Sequence, residues 1–390
     1  MRRVREGTIG IVPAGALGVA FFYQLTRGLA DIDGSIFFVE RAGSKSAEAL
    51  KHKGEMLVAA AGQIHRLPTA ELLRGDLLEL FEKDALPEVL LAGPNPDQLP
   101  ELLGTVVRWL ERAHAQGELA ELDLPLLVLA SNGIYYQRLR QQFIEQLEES
   151  TLLGRLPDLW PDLMPRIVGR LLRGVTIQTG LRDGSGAEAV YHPGPRGITR
   201  LAGGDEKVRA RARELLCARG GWFELAQHSS ATRLEFDKGM VNLTANLLGQ
   251  FQAFDSKGHF TLLRVRDIVT PANEPEMREL AQHVFETGRA VRAYGVDEKF
   301  SDVFAQMLCT NREHDEHVPS SLQWIGLRLR QGRLEAKLTP TEEWLLDPLI
   351  RYAYAAGLHE SGDYFTALKK RAIANLAVAA QERQQAHVPG

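Results

Sequence analysis

The sequence predicts an α/β protein, with an N-terminal doubly wound parallel sheet followed by a mostly helical C-terminal domain. Three observations lead there. Residues 8–18 (Thr-Ile-Gly-Ile-Val-Pro-Ala-Gly-Ala-Leu-Gly) run from an apolar strand through a turn of small residues into a helical pattern. Short apolar strands then recur with helical stretches between them, the alternation of a parallel sheet covered on both faces. After Gly203-Gly204 the chain is helical in pattern almost to its end. The domains expected from this are residues 1–204 and 205–390.

The first strand is carried by Ile9, Ile11 and Val12, and the helix after it by Leu17, Ala20, Phe21 and Leu25. Small residues in such a turn let backbone N–H groups approach a pyrophosphate, and the positive end of the following helix favours the anion. Pro13, Ala14, Gly15, Ala16, Leu17 and Gly18 are therefore candidate dinucleotide-binding residues of a Rossmann-type domain. The spacing is Pro13-x-Gly15-x-x-Gly18 where G-x-G-x-x-G is usual. Proline has no N–H and a fixed φ, so the first turn must be built differently.

The next strand, Ile36 to Val39, ends at Glu40-Arg41. An acid at that point holds a ribose 2′-hydroxyl, whereas an arginine suits a 2′-phosphate. Val89 to Ala92 form another strand, stopped by Gly93-Pro94-Asn95-Pro96. Leu126 to Ala130 form a third, stopped by Ser131-Asn132-Gly133. Ligands of open parallel sheets bind beyond the carboxyl ends of the strands. The turns at 13–18, 93–97 and 131–133 are thus expected to converge, with Gly93 and Pro94 beside the cofactor. Residues 139–165 are charged and then rich in Leu, Pro and Trp, which predicts a peripheral helical segment. Two further strands are expected at Val175–Thr179 and around 189–199. From about Gln381 the chain is a polar tail.

Bulk properties exclude several classes. A net charge of −4 offers no electrostatic footprint for nucleic acid or an anionic membrane. No run approaches the roughly 18 apolar residues of a membrane span. Cys217 and Cys309 lie far apart, which predicts reduced thiols and a cytoplasmic protein. His314-x-x-His317 sits in a polar stretch without an evident third ligand, so no metal is expected. No Ser/His/Asp or Cys/His nucleophile arrangement is legible.

The second domain carries Lys238-x-x-x-Asn242-x-x-x-Asn246 inside an otherwise apolar helix. Spacing of four puts all three side chains on one face, and such groups are costly in an apolar setting unless they meet a ligand or one another. Downstream come His317-Val318-Pro319-Ser320-Ser321-Leu322-Gln323 and Gly332-Arg333-Leu334-Glu335. Taken in order, the turn ending at Gly18, Phe38-Val39-Glu40-Arg41, Lys53-Gly54, Ser131-Asn132-Gly133-Ile134, the strands between Gly174 and Gly204, the lysine–asparagine helix, Ser320-Ser321 and Glu335 resemble the ketopantoate reductase family, within the 6-phosphogluconate-dehydrogenase-like proteins.

That resemblance implies a Rossmann domain, a helical substrate and dimerisation domain, and reduction of a 2-oxo acid or related carbonyl compound by NADP, with NAD as the alternative. It implies Lys238 as general acid and Glu335 as the acidic residue that holds substrate and orients the lysine. Asn132, Asn242, Asn246 and Ser320 match substrate-binding positions, and Arg41 matches the NADP side of the strand-end signal. Family members often form homodimers. Three positions depart from the pattern. Pro13 replaces the first glycine, Gly93-Pro94-Asn95-Pro96 lacks the family's lysine near the cofactor, and Trp324 stands where an aspartate often follows the glutamine. A substrate other than ketopantoate is expected from the missing lysine. The alternative is a catalytically silent member that binds a nucleotide or metabolite. The chain also exceeds a typical member in length, with insertions expected near 139–165 and 250–315.

Overall fold

The computed structural model describes residues 4–40, 43–119, 123–155, 167–184, 186–219, 222–227, 229–255 and 258–386. The chain divides into two compact units, Met1–Ser131 with Tyr136–Ala231, and Asn132–Tyr135 with Thr232–Gly390.

The first unit is built on strands β1 (Val4–Val12), β2 (Ile36–Glu40), β3 (Glu55–Ala60), β4 (Gln63–Pro68), β5 (Leu73–Asp76), β6 (Leu86–Ala92), β7 (Leu126–Leu129), β8 (Leu171–Thr176), β9 (Gly180–Asp183), β10 (Val190–Pro193), β11 (Thr199–Gly203) and β12 (Phe223–Leu225). The larger sheet has the order β12-β11-β8-β7-β6-β1-β2-β5. Every pairing from β5 across to β8 is parallel, while β11 runs antiparallel to β8. The strands β5-β2-β1-β6-β7-β8 follow the doubly wound order, and the winding reverses between β1 and β6. Their composition explains the burial. Leu126 to Leu129 are all buried, as expected of a parallel strand covered on both faces. Gly10 permits tight strand packing, because a Cβ there would lie 2.7 Å from Pro87 Cγ and 2.8 Å from Val39 Cγ2.

A second sheet, β4-β3-β10-β9, was not legible in the sequence beyond its β10 strand. The β3–β4 hairpin turns at Ala61 and Gly62, both with positive φ, the geometry of a two-residue hairpin turn. This sheet covers the helix Ala16–Leu25, which is buried nearly all round. Two glycines make that seat possible. A Cβ at Gly18 would stand 2.2 Å from the Pro13 carbonyl oxygen, and one at Gly180 would stand 2.2 Å from the Ala16 carbonyl oxygen.

The first compact unit continues past residue 204. The helix Glu206–Ala212 contributes Val208 and Ala212 to the core of the first unit, together with Leu215, Leu216 and Phe223. Strand β12 then extends the large sheet, with Thr199 N–H donating to Trp222 O at 2.7 Å and Ala226 N–H to Leu201 O at 2.9 Å. Apolar burial and sheet pairing therefore carry this unit on to Ala231. The segment expected to be peripheral at 139–165 includes the helix Tyr136–Glu148, while 156–166 lie outside the described residues.

The second unit is helical, as expected. Its core joins side chains of Ala231–Asn242, Glu274–Ala290, Phe300–Arg312, Pro340–Ala355 and His359–Ala386. Among the described residues no helix is long and apolar enough to cross a membrane.

Gly18→Ala is expected to cost at least about 2 kcal/mol, because the methyl meets backbone that cannot move aside cheaply. Gly15→Ala should cost about 1 kcal/mol or less, since the nearest atom is 3.7 Å away and its φ of −103° suits any residue. Urea unfolding of both variants beside wild type checks the order, and equal stability would remove the close-contact argument.

Candidate functional site

In the first unit the turn after β1 has the features of an anion cradle. Gly15 is the N-cap of the helix Ala16–Leu25 and supplies no side-chain cap. The first helical N–H groups have no intrahelical acceptor and remain for a ligand. The Val12–Pro13 peptide is cis. Tyr191 donates its hydroxyl to the Ala14 carbonyl at 3.2 Å, which ties the turn to β10. The turn after β6 lies alongside, with Gly93 N–H donating to Val12 O at 2.8 Å. Ser131 Oγ donates to the Pro94 carbonyl, so the ends of β1, β6 and β7 meet as expected. Arg173, buried in β8, holds that last end. Its guanidinium donates to Leu129 O and Ser131 O, each at 2.8 Å.

Beyond these strand ends lies a crevice lined by Val12, Glu40, Asp76, Pro94, Glu101 and Arg108, among others. Glu40 pairs with Lys51 at 2.5 Å. Arg41, the residue expected to favour NADP, lies outside the described residues.

In the second unit the helix from Ala231 continues through one wide turn, Leu243–Leu247, to Ala253. Wide turns of this kind are rare and concentrate at functional sites. Lys238 is partly buried and has no hydrogen-bond or ion-pair partner among the described residues. Burial lowers its amine to about 8. Gly239 lets Ile134 approach the helix at this level, where an added Cβ would sit 3.2 Å from Ile134 Cδ1.

Asn242 is buried beside it in sequence, without a hydrogen bond among the described residues. Asn246 differs. Its Oδ1 accepts from Ser321 N–H at 3.1 Å and from Ser320 Oγ at 3.4 Å. Asn246 thus caps the helix Ser320–Arg330 from outside, whose own N-cap, Pro319, has no side-chain bond to give.

Asn132 belongs to this unit through the segment Asn132–Tyr135. Ile134 N–H donates to Trp344 O at 3.0 Å, and Tyr135 N–H to Glu235 Oε1 at 3.2 Å. Gly133 has φ +127° and Trp344 Cβ only 3.0 Å from where a Cβ would be, so no other residue fits there.

Glu335, the acid expected to hold substrate, is exposed in the loop after Ser320–Arg330. The geometry brings a different carboxylate to the serines. Glu342, in the first turn of Pro340–Ala355, is 0% exposed. Its Oε1 accepts from Ser321 Oγ, which also lies 3.2 Å from Thr339 Oγ1, while Oε2 has no partner among the described residues. Burial pushes this carboxyl up to about 7, against the Ser321 hydrogen bond that favours the charged form. A signal for it existed in the sequence. Thr339-Pro340-Thr341-Glu342 has the Thr-x-x-Glu pattern of a capping box with proline at the first helical position. In the structure both ends of that pattern turn instead toward Ser321. His314 was also missed as a neighbour of the lysine. Burial holds it below the ordinary histidine range, and the charges of His317 and Lys238 add to the effect. The His314 and His317 rings stack at 5.2 Å.

The raised Glu342 carboxyl sets a pH dependence of stability. The folded chain keeps a proton that the unfolded chain releases near 4.5, so stability falls as pH rises from about 4.5 to about 7. Glu342→Gln removes that penalty. Its stability relative to wild type should therefore increase with pH, by up to about 3 kcal/mol between pH 5 and pH 8. Thermal unfolding across that range measures it, and a pH-independent difference would mean the carboxyl is not held protonated.

No protein-family model and no curated protein matches the sequence. Solved structures do. A ternary structure of D-mandelate dehydrogenase with NADH and anilino(oxo)acetate matches with a TM-score of 0.61 at 15% identity, covering 95% of this chain and 99% of that one. A 2-dehydropantoate 2-reductase from Geobacter metallireducens GS-15 matches with a TM-score of 0.56 at 17% identity, covering 94% and 99%. A probable 2-dehydropantoate 2-reductase from Bacillus subtilis matches with a TM-score of 0.55 at 15% identity, covering 93% and 99%. The chain therefore has the fold shared by the ketopantoate reductases and D-mandelate dehydrogenase, the fold that its motifs imply.

Proposed function

We propose that this chain is a nicotinamide-dependent reductase that converts a 2-oxo acid to the 2-hydroxy acid, with Lys238 as the proton donor. The observation that carries the reading is the state of Lys238. It is a partly buried amine without a partner among the described residues, brought down to about 8 by desolvation. An amine in that range can give up a proton near neutral pH, whereas one at the ordinary 10.5 is a much poorer donor. While charged, it also stabilises negative charge growing on a carbonyl oxygen.

The first unit fits a dinucleotide. The first-turn N–H groups of Ala16 and Leu17 would face the pyrophosphate, and Gly18 leaves the turn room to close. A bound nicotinamide would supply hydride to the carbonyl carbon. In the second unit we assign the substrate-holding carboxyl to Glu342 rather than to Glu335, because Glu342 is buried, accepts a hydrogen bond from Ser321 and keeps Oε2 without a partner among the described residues. Asn132, Asn242 and Ser320 supply further amide and hydroxyl groups for the substrate. Asn246 acts chiefly by seating the serine helix. No lysine follows β6, which supports a substrate other than ketopantoate.

Lys238→Ala should lower kcat by about 10²–10⁴-fold with the fold intact. Wild-type turnover in the reducing direction should fall as pH rises through about 8, where the amine loses its proton. Glu335→Ala should leave kcat/KM within about twofold of wild type. Steady-state kinetics over a panel of 2-oxo acids checks all three, and unchanged turnover in Lys238→Ala would remove the lysine from the mechanism.

A further inference from the structure

The choice between the two nicotinamide dinucleotides can be argued from the first unit alone. Strand β2 ends in Glu40, about 20 residues beyond the turn of small residues, the place where a dinucleotide's adenosine ribose is held in this fold class. Among the described residues Glu40 lines the crevice with Asp76, Glu101 and one cation, Arg108. Asp76 is fixed there by its own helix, since its Oδ1 accepts from Leu78 N–H and Glu79 N–H, both at 2.9 Å. Arg108 donates to Thr105 Oγ1 at 2.9 Å on the same helix face.

The nearest lysine does not reverse this balance. Lys51 is ion-paired with Glu40 itself, and its side chain is 52% exposed while that of Glu40 is 13% exposed. The carboxylate is the inner partner and the ammonium the outer one. A 2′-phosphate, with nearly two negative charges, would be repelled by the Glu40 carboxylate and would have to draw Lys51 away from it. A 2′-hydroxyl would donate a hydrogen bond to the same carboxylate without disturbing the ion pair.

We propose that this chain takes NADH in preference to NADPH, with Glu40 accepting the adenosine ribose hydroxyl. This rests on the nicotinamide reading above, and it reverses the NADP preference expected from Arg41. Calorimetric titration of the purified full chain with NADH and with NADPH tests it directly, without any turnover. NADH should bind at least about tenfold more tightly. In Glu40→Gln that ratio should shrink by about tenfold, with circular dichroism unchanged. Equal affinity, or tighter NADPH, in wild type would overturn the preference. An unchanged ratio in Glu40→Gln would overturn the role of Glu40. Binding of neither dinucleotide at millimolar concentration would overturn the nicotinamide reading itself, and this preference with it.

Discussion

The first helix starts where two pieces of backbone leave no room for a side chain. At Gly18 the obstacle is the carbonyl of Pro13, and at Gly180 it is the carbonyl of Ala16. These contacts fix how closely Ala16–Leu25 lies on β1 and on the small sheet. They also fix where its unbonded N–H groups point, and so where an anion can sit. Proline at position 13 therefore changes the turn without removing the cradle, because the donors come from the residues after Gly15.

The second unit solves a different problem, that of keeping ionisable groups inside protein. Among the described residues Lys238 has no counter-charge bonded to it, and the Glu342 carboxyl is met by the Ser321 hydroxyl and its own backbone N–H, with no cation. Leaving such groups half-satisfied costs stability, and strained or unsatisfied groups concentrate where function needs them. By contrast, the Arg233 side chain on the same helix is held by both Asp237 and Glu298, and reads as structure.

Four strands of the parallel sheet, β1, β2, β6 and β7, were legible as apolar runs with sharp stops, whereas β5 (Leu-Arg-Gly-Asp) has no such run and β8 was expected four residues too late, at Val175–Thr179. The hairpin of β3 and β4 was not legible. Gln63 to Pro68 carries little apolar content, and Ile64 is exposed, so no alternation marks a core face. Gly203-Gly204 looks like a linker in the sequence, whereas the weak strand Phe223–Leu225 beyond it is recognisable only by its pairing with β11. In the site, Lys238 and the asparagines stood out as polar residues in an apolar helix. Glu335 was singled out by its match to a family position, whereas Glu342 looks in the sequence like part of a capping pattern.

Asn246 has a consequence that reaches past its own hydrogen bonds. Its amide lies in the wide turn of the lysine helix, yet it caps the helix that carries Ser320 and Ser321. Ser321 in turn holds Glu342 on a third helix. Three helices are thereby joined through one short chain of bonds, from carboxyl to hydroxyl to amide. The lysine helix and the buried carboxyl therefore share one support, Ser321, which bonds the first through its N–H and the second through its hydroxyl.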